Sequence, residues 1–268
     1  MGRGSNNIKA ARRTCPCILR HGSIKAYARN PQERNRFKWV VGDHKYIRNR
    51  CTPGEGPAFV VIEGESWLDV GANVGFFALL CFQMGAAHVT CVEAERDNIA
   101  CLRKNLEING HNTTRAKVVR ALVRGSSNKS AQLLLSRKTT RHSVLRAPEA
   151  IPSGGVQPIP VVQTLQKFLR MRPYHGVKLN IEGAEREVLL AMKANSWPRS
   201  VKKLVVEYSF DVFPHRRDYD TLCNHLESTG WRIYPESVPA WFKGKNAQWD
   251  RRKTMGNDAR QIWAFRCQ

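Results

Sequence analysis

At 268 residues the chain is long enough for one α/β domain with an extension and too short for two substantial domains. Hydrophobic residues make up 42% and charged residues 25%, which excludes a disordered chain, and no apolar run approaches the roughly 20 residues that cross a bilayer. Lys and Arg number 44 against 22 Asp and Glu, a net charge of +22, so a polyanionic partner such as nucleic acid is one expectation: the surface attracts phosphates and anionic glycans through a long-range, salt-screened field.

Residues 1–36 read as a flexible basic arm, because Arg3, Lys9, Arg12, Arg13, Arg20, Lys25 and Arg29 come before the first acid, Glu33, with little apolar periodicity. An acid-free, Arg-rich start also resembles an organelle transit peptide, but a secretory apolar core is missing. Asn6 stands where a myristoylation signal needs Ser or Thr, so no lipidation is expected. Cys15 and Cys17 have no downstream partner pair of zinc spacing, and no metal is expected. Cys81, Cys91 and Cys101 fall in predicted core segments as small hydrophobes, which fits a reducing, intracellular compartment, the cytoplasm first.

The domain proper is expected over 37–268. Phe37 to Ile47 and Ala58 to Ile62 look like strands leading into it, on aromatic and β-branched content. Next come strand Ser66 to Val70, a glycine turn Gly71 to Gly75, helix Phe76 to Met84, strand His88 to Val92, helix Asp97 to Ile108 and strand Ala116 to Val123. The alternation resumes with helix Leu165 to Met171, strand Val177 to Ile181, helix Glu185 to Lys193, strand Val201 to Tyr208 and helix Tyr219 to Thr229, and ends in short strands at Trp231 to Tyr234 and Gln261 to Arg266. Such alternation predicts an α/β fold with a mostly parallel sheet covered on both faces, whose ligand sits at the carboxyl ends of the strands.

Asp69 ends the first core strand, and Gly71 and Gly75 come after it where the backbone must turn sharply, with Asn73 between them. A dinucleotide loop would read GxGxxG, and Asp69 would repel a pyrophosphate there; S-adenosylmethionine, with a sulfonium and an ammonium, reverses that sign. Glu93 ends the next strand 22 residues beyond Gly71, close to the spacing at which an acid accepts ribose hydroxyls.

Three segments resemble the FkbM-type methyltransferases: Leu68 to Phe77, Val92-Glu-Ala-Glu95 leading to Asn105-Leu-Glu-Ile-Asn109, and Val177 to Glu185, with Val162 to Leu169 and Leu204 to Glu207 as matching flanks. The resemblance implies a Rossmann-like class I methyltransferase with a seven-stranded sheet, S-adenosyl-L-methionine as cofactor, and O-methylation of a hydroxyl on a glycan or small molecule. Cofactor binding then falls to Asp69, Gly71, Asn73, Gly75, Glu93 and Ala121. Asn180 stands where the family pattern has Asp, and an amide cannot act as a carboxylate base.

The remaining candidates at that strand end are Glu182, Glu185 and His175, with Lys178 and Asn180 as polar partners on one strand face. Glu182, before Gly183, suits the acceptor or the cofactor amine. Glu185 serves equally well as a helix-start acid, His175 sits in a loop, and Glu207 ends the next strand. Two alternatives stand beside O-methylation. One is RNA methylation, prompted by Arg137 to Arg146, His215 to Arg217, and Trp241 to Lys245 with Trp249 and Arg251 to Lys253; the other is a non-catalytic binder, prompted by Asn180.

Overall fold

The computed structural model describes residues 16–48, 58–127, 131–136, 153–159, 161–210, 212–234 and 259–266. The basic stretches 137–146 and 241–253, and Cys15, lie outside them.

The inner half of the expected arm is part of the fold. Strands β1 (Cys17–His21) and β2 (Ile24–Ala28) form an antiparallel hairpin, and helix α1 (Pro31–Phe37) comes next. The helix starts where the Asn30 side chain accepts from the Glu33 backbone N–H at 2.9 Å, with Pro31 already holding a helical φ. Phe37 to Ile47, expected as a strand, is the end of α1 and a turn of π-helix over Lys38–Gly42. Ala58 to Ile62 makes one bridge, Phe59 to Arg48.

The core then runs as β3 (Ser66–Val70), α2 (Phe76–Gln83), β4 (His88–Glu93), α3 (Arg96–Glu107), β5 (Ala116–Arg120), β6 (Leu122–Arg124), β7 (Ala131–Ser136), β8 (Ser153–Ile159), β9 (Val162–Thr164), α4 (Leu165–Leu169), β10 (Gly176–Leu179), α5 (Glu185–Leu190), β11 (Lys203–Ser209), α6 (Arg216–Ser228), β12 (Arg232–Ile233) and β13 (Ala259–Phe265). Among the described residues seven strands form one sheet in the order β12-β13-β11-β10-β3-β4-β5, with β13 antiparallel to both its neighbours. Every residue of β3, β4 and β10 is buried, as central parallel strands covered on both faces must be. The expected strand Ala116 to Val123 breaks at Ala121, whose N–H turns to the Glu93 carbonyl at 3.1 Å; β6 leaves the sheet to pair with β9. The β7–β8 hairpin had no counterpart in the sequence reading.

Helix α2 is apolar all round, with Phe76 to Phe82 buried, so it needs cover on the side away from the sheet. The N-terminal segment supplies it. Ile24, Ala26, Phe37, Val40, Val41 and Tyr46 join α2 in one core cluster, with Phe37 edge-on to Phe76 at 5.3 Å. On the opposite face α4, α5 and α6 bury Phe168, Leu189, Leu222 and Leu226 against Leu68, Val177 and Val206. Cys81, Cys91 and Cys101 are free and buried, and burial pushes their thiols up. Among the described residues no helix is long and apolar enough to cross a membrane.

Candidate active site

The chain steps from β3 to β4 to β5 on one side and enters β10 and β11 on the other, so the strand order reverses between β3 and β10. A crevice opens at such a point. Gly71 leaves β3 at φ +75°, its N–H on the Val92 carbonyl at 2.9 Å, while Asn180 leaves β10 with its N–H on the Val70 carbonyl at 3.0 Å. The two backbones are so close that a Cβ on Gly71 would stand 1.7 Å from the Asn180 oxygen. Asn73 takes the left-handed region at φ 51°, and Gly75 at φ +88° begins α2 with its α-carbon against Leu102.

Beside this turn lies a cleft open to solvent, about 550 Å³ with the solvent space at its mouth included. Of the expected binding residues Gly71, Asn73, Glu93 and Ala121 line it, and Asn180 and Glu182 line its other end. Gly75 does not; it packs against α3. Glu93 is fixed by two backbone donors, Asn73 N–H to Oε2 at 2.8 Å and Glu95 N–H to Oε1 at 2.9 Å. Burial raises its pKa against the pull of those donors. Asn98, also on the wall, is held by Arg29, whose Nη2 donates to Asn98 Oδ1 at 2.6 Å while the same guanidinium pairs with Glu33. Ala94, Leu122, Val123 and Leu133 make the rest of that end apolar.

Asp69 departs from the sequence reading. It is wholly buried, does not line the cleft, and pairs with Lys178 in the neighbouring register position, Nζ to Oδ1 at 2.9 Å. Burial raises its pKa, with Lys178 pulling the other way. Lys178 also donates to the Gly71 carbonyl at 2.8 Å, so the pair braces the glycine turn from beneath and the Asp69 charge is neutralised inside the protein. The acids that line the cleft are Glu93 and Glu182.

Asn180 acquires a reason from its surroundings. Its Nδ2 donates to Glu207 Oε2 at 2.9 Å and reaches the Tyr46 hydroxyl at 3.2 Å; Tyr46 donates to the same Glu207 oxygen, and Lys45 Nζ pairs with Oε1 at 2.6 Å. Against the cost of burial, Lys45, Arg36 and these hydrogen bonds hold the Glu207 carboxyl down at about 2. An Asp at 180 would set two carboxylates in contact. Asn180→Asp should therefore force the pair to share a proton, raising one pKa. In the wild type Glu207 adds stability above its unfolded pKa and loses it as pH falls toward 2. In the variant the raised carboxyl loses stability as pH rises through its folded pKa. Urea unfolding should show the variant losing about 1–3 kcal/mol relative to wild type as pH rises from about 4 to about 7, for a shift of one to two units. A pH-independent difference would contradict this arrangement.

Glu185 is buried, and its two oxygens accept from the Ile181 and Gly183 N–H groups at 2.6 and 2.8 Å; burial pushes its pKa up to about 8 against those donors. It shapes the turn that presents Glu182, which sits at φ 54° on the cleft wall. His175 lies at the far end of the sheet, its Nδ1 accepting from the Ser66 N–H at 3.1 Å and its own N–H on the Ser66 carbonyl, and so cannot serve the cleft. Sequence reasoning missed Arg36, Lys45 and Tyr46. The signal was present in Asn30-Pro31-Gln32-Glu33, a helix start, which places the residues after it beside the core instead of in a strand.

A family model for the methyltransferase FkbM domain matches residues 69–231. No curated protein matches the chain. Among solved structures, methyltransferase FkbM from Methylobacillus flagellatus KT is similar over 75% of this chain and 44% of its own, at 16% identity and a TM-score of 0.44. A SAM-dependent methyltransferase from Streptococcus mutans is similar over 93% and 55%, at 7% identity and 0.50. The chain thus spans about half the length of these two. TYW2 of M. jannaschii, solved in complex with AdoMet, is similar over 93% and 84%, at 9% identity and 0.44. At these identities the likeness is one of fold.

Proposed function

The chain belongs to the FkbM methyltransferase family, and from that premise we propose that it methylates a hydroxyl of a glycan or small molecule, with Glu182 taking the hydroxyl proton. It is an S-adenosylmethionine-dependent methyltransferase with a Rossmann-like fold. The cleft fits the cofactor: Gly71 brings bare backbone to its wall, Glu93 keeps lone pairs beyond its two backbone bonds for a ribose diol, and the wall at Ala121, Leu122 and Leu133 is apolar enough for adenine.

The bound cofactor supplies a methyl group already activated by its sulfonium. The protein's residues have to hold the acceptor in line with it and remove one proton as the oxygen–carbon bond forms. The observation that carries the assignment is the fate of the carboxylates at the ends of β3, β10 and β11. Asp69 pairs with Lys178, Glu207 with Lys45, Tyr46 and Asn180, and Glu185 with backbone N–H groups, and none of the three lines the cleft; Glu182 does, 4.0 Å from Arg36. A carboxylate held near pKa 2, as Glu207 is, makes a poor base.

Glu182→Gln should lower kcat by about 10²- to 10⁴-fold in a chain that still binds S-adenosylhomocysteine; unchanged turnover would reject Glu182 as the base. The net charge of +22 favours RNA as the second reading. Methyl-labelled cofactor incubated with total RNA, and separately with glycan and small-molecule fractions, at two salt concentrations decides between them. Salt-sensitive label in RNA supports the second reading, and label only in the hydroxyl fractions supports the first.

A further inference from the structure

Arg36 enters the cleft from α1, which precedes the family-matched residues 69–231. It lines the large cleft and also a smaller cavity of about 250 Å³ bounded by Val40, Tyr46, Phe77 and Lys178. Gly71 and Asn73 line both cavities, so the two meet at the glycine turn, while Glu93 lines only the larger.

A ribose held at Glu93 fixes the direction of the cofactor. Strands β4, β3 and β10 are successive neighbours, so with strands about 4.8 Å apart the end of β10 lies about 10 Å from the end of β4. With adenine against Ala121, Leu122 and Leu133 beyond Glu93, the amino-acid end of the cofactor falls toward β10, where Arg36, Asn180 and Glu182 form the wall. That end carries a carboxylate, and a carboxylate leaving water needs a cation with hydrogen-bond donors.

The cations near this wall are unequally engaged. Lys178 is committed to Asp69 at 2.9 Å and to the Gly71 carbonyl, and Lys45 to Glu207 at 2.6 Å. Arg36 feels the charges of Glu207, Glu182 and Glu93, but its ion pair is a long one, to Glu182 at 4.0 Å, and its side chain is 18% exposed. Its backbone is nevertheless fixed: three residues before it Glu33 grips Arg29, which ties to Asn98, and Phe37 is wedged against Phe76. A planar guanidinium on a fixed stem, open on the side facing the cavities, matches a carboxylate in fork geometry.

We infer that Arg36 binds the carboxylate of the cofactor's amino-acid end. The inference rests on the cofactor site proposed above. Helix α1 is then a wall of that site as well as cover for α2, and the family-matched region by itself lacks one of the groups that hold its cofactor.

Calorimetric titration of the full chain with S-adenosylhomocysteine and with 5′-methylthioadenosine, which lacks the amino-acid end, tests this. Arg36→Met should weaken S-adenosylhomocysteine roughly 10- to 100-fold, the worth of a charge-assisted hydrogen-bonded pair, and leave 5′-methylthioadenosine unchanged; Arg36→Lys should fall between. Retained 5′-methylthioadenosine binding also shows that the variant's cleft is folded. Equal losses for both ligands would make Arg36 a prop for the cleft and overturn the inference, as would unchanged S-adenosylhomocysteine affinity. A wild-type chain that binds neither ligand would sink the cofactor site itself, a result distinct from either of these.

Discussion

Gly71→Ala should lower the urea midpoint of unfolding far below that of the wild type and abolish measurable cofactor binding. The added Cβ would lie 1.7 Å from the Asn180 oxygen, about half an ordinary contact distance, and neither backbone can yield cheaply. Gly71 is tied to β4 through Val92, and Asn180 to β3 through Val70, so relief means parting the two central strands of the sheet. The left-handed φ alone would cost roughly 1–2 kcal/mol, and the clash should take the total above about 4 kcal/mol, among the largest single-residue effects. Gly110→Ala is the matched control: φ is +72° there too, but nothing lies within 4 Å of the added carbon. Urea unfolding of both variants separates steric from conformational cost. Equal midpoints would contradict the close approach of the Gly71 turn to β10.

Asp69→Ala should cost roughly 3–5 kcal/mol of stability, because it strands the Lys178 ammonium in the interior without its partner. The double variant Asp69→Ala with Lys178→Met should recover much of that loss, since removing both charges removes the unpaired one. The loss of affinity seen in the single variant should track its instability. If Asp69→Ala instead keeps its unfolding midpoint and loses only cofactor affinity, then Asp69 faces the ligand and the Lys178 pairing does not govern its role.

The contrast between Asp69 and Glu93 shows where sequence reasoning reaches and where it stops. Both were legible as acids at the ends of neighbouring core strands, because strand periodicity and the spacing to Gly71 place a strand end well. Which of them lines the cleft depended on Lys178, 109 positions away from Asp69 in the chain and opposite it in register. Pairing across parallel strands is set by crossover connections, and a one-dimensional pattern does not carry it. The same gap explains Asn180. In isolation it reads as a lost carboxylate, yet Glu207, Tyr46 and Lys45 give the amide a donor role that Asp could not fill.

The alternation of strands and helices from Ser66 to Thr229 was legible because short apolar strand runs alternate with longer helical runs closed by stops such as Gly85 and Asn109-Gly110. The N-terminal segment was not, since seven cations without an acid look like a solvated arm. An all-apolar α2 was the available hint: a helix with no polar face needs a second cover, and the residues before it were the natural source. The β7–β8 hairpin and the break at Ala121 left no such trace.

Calorimetric titration of the full chain with S-adenosylmethionine tests the cofactor cleft between β3 and β10 most directly. One site per chain with a micromolar dissociation constant, shared competitively with S-adenosylhomocysteine, is the expected result. No binding heat from a chain shown to be folded would contradict it.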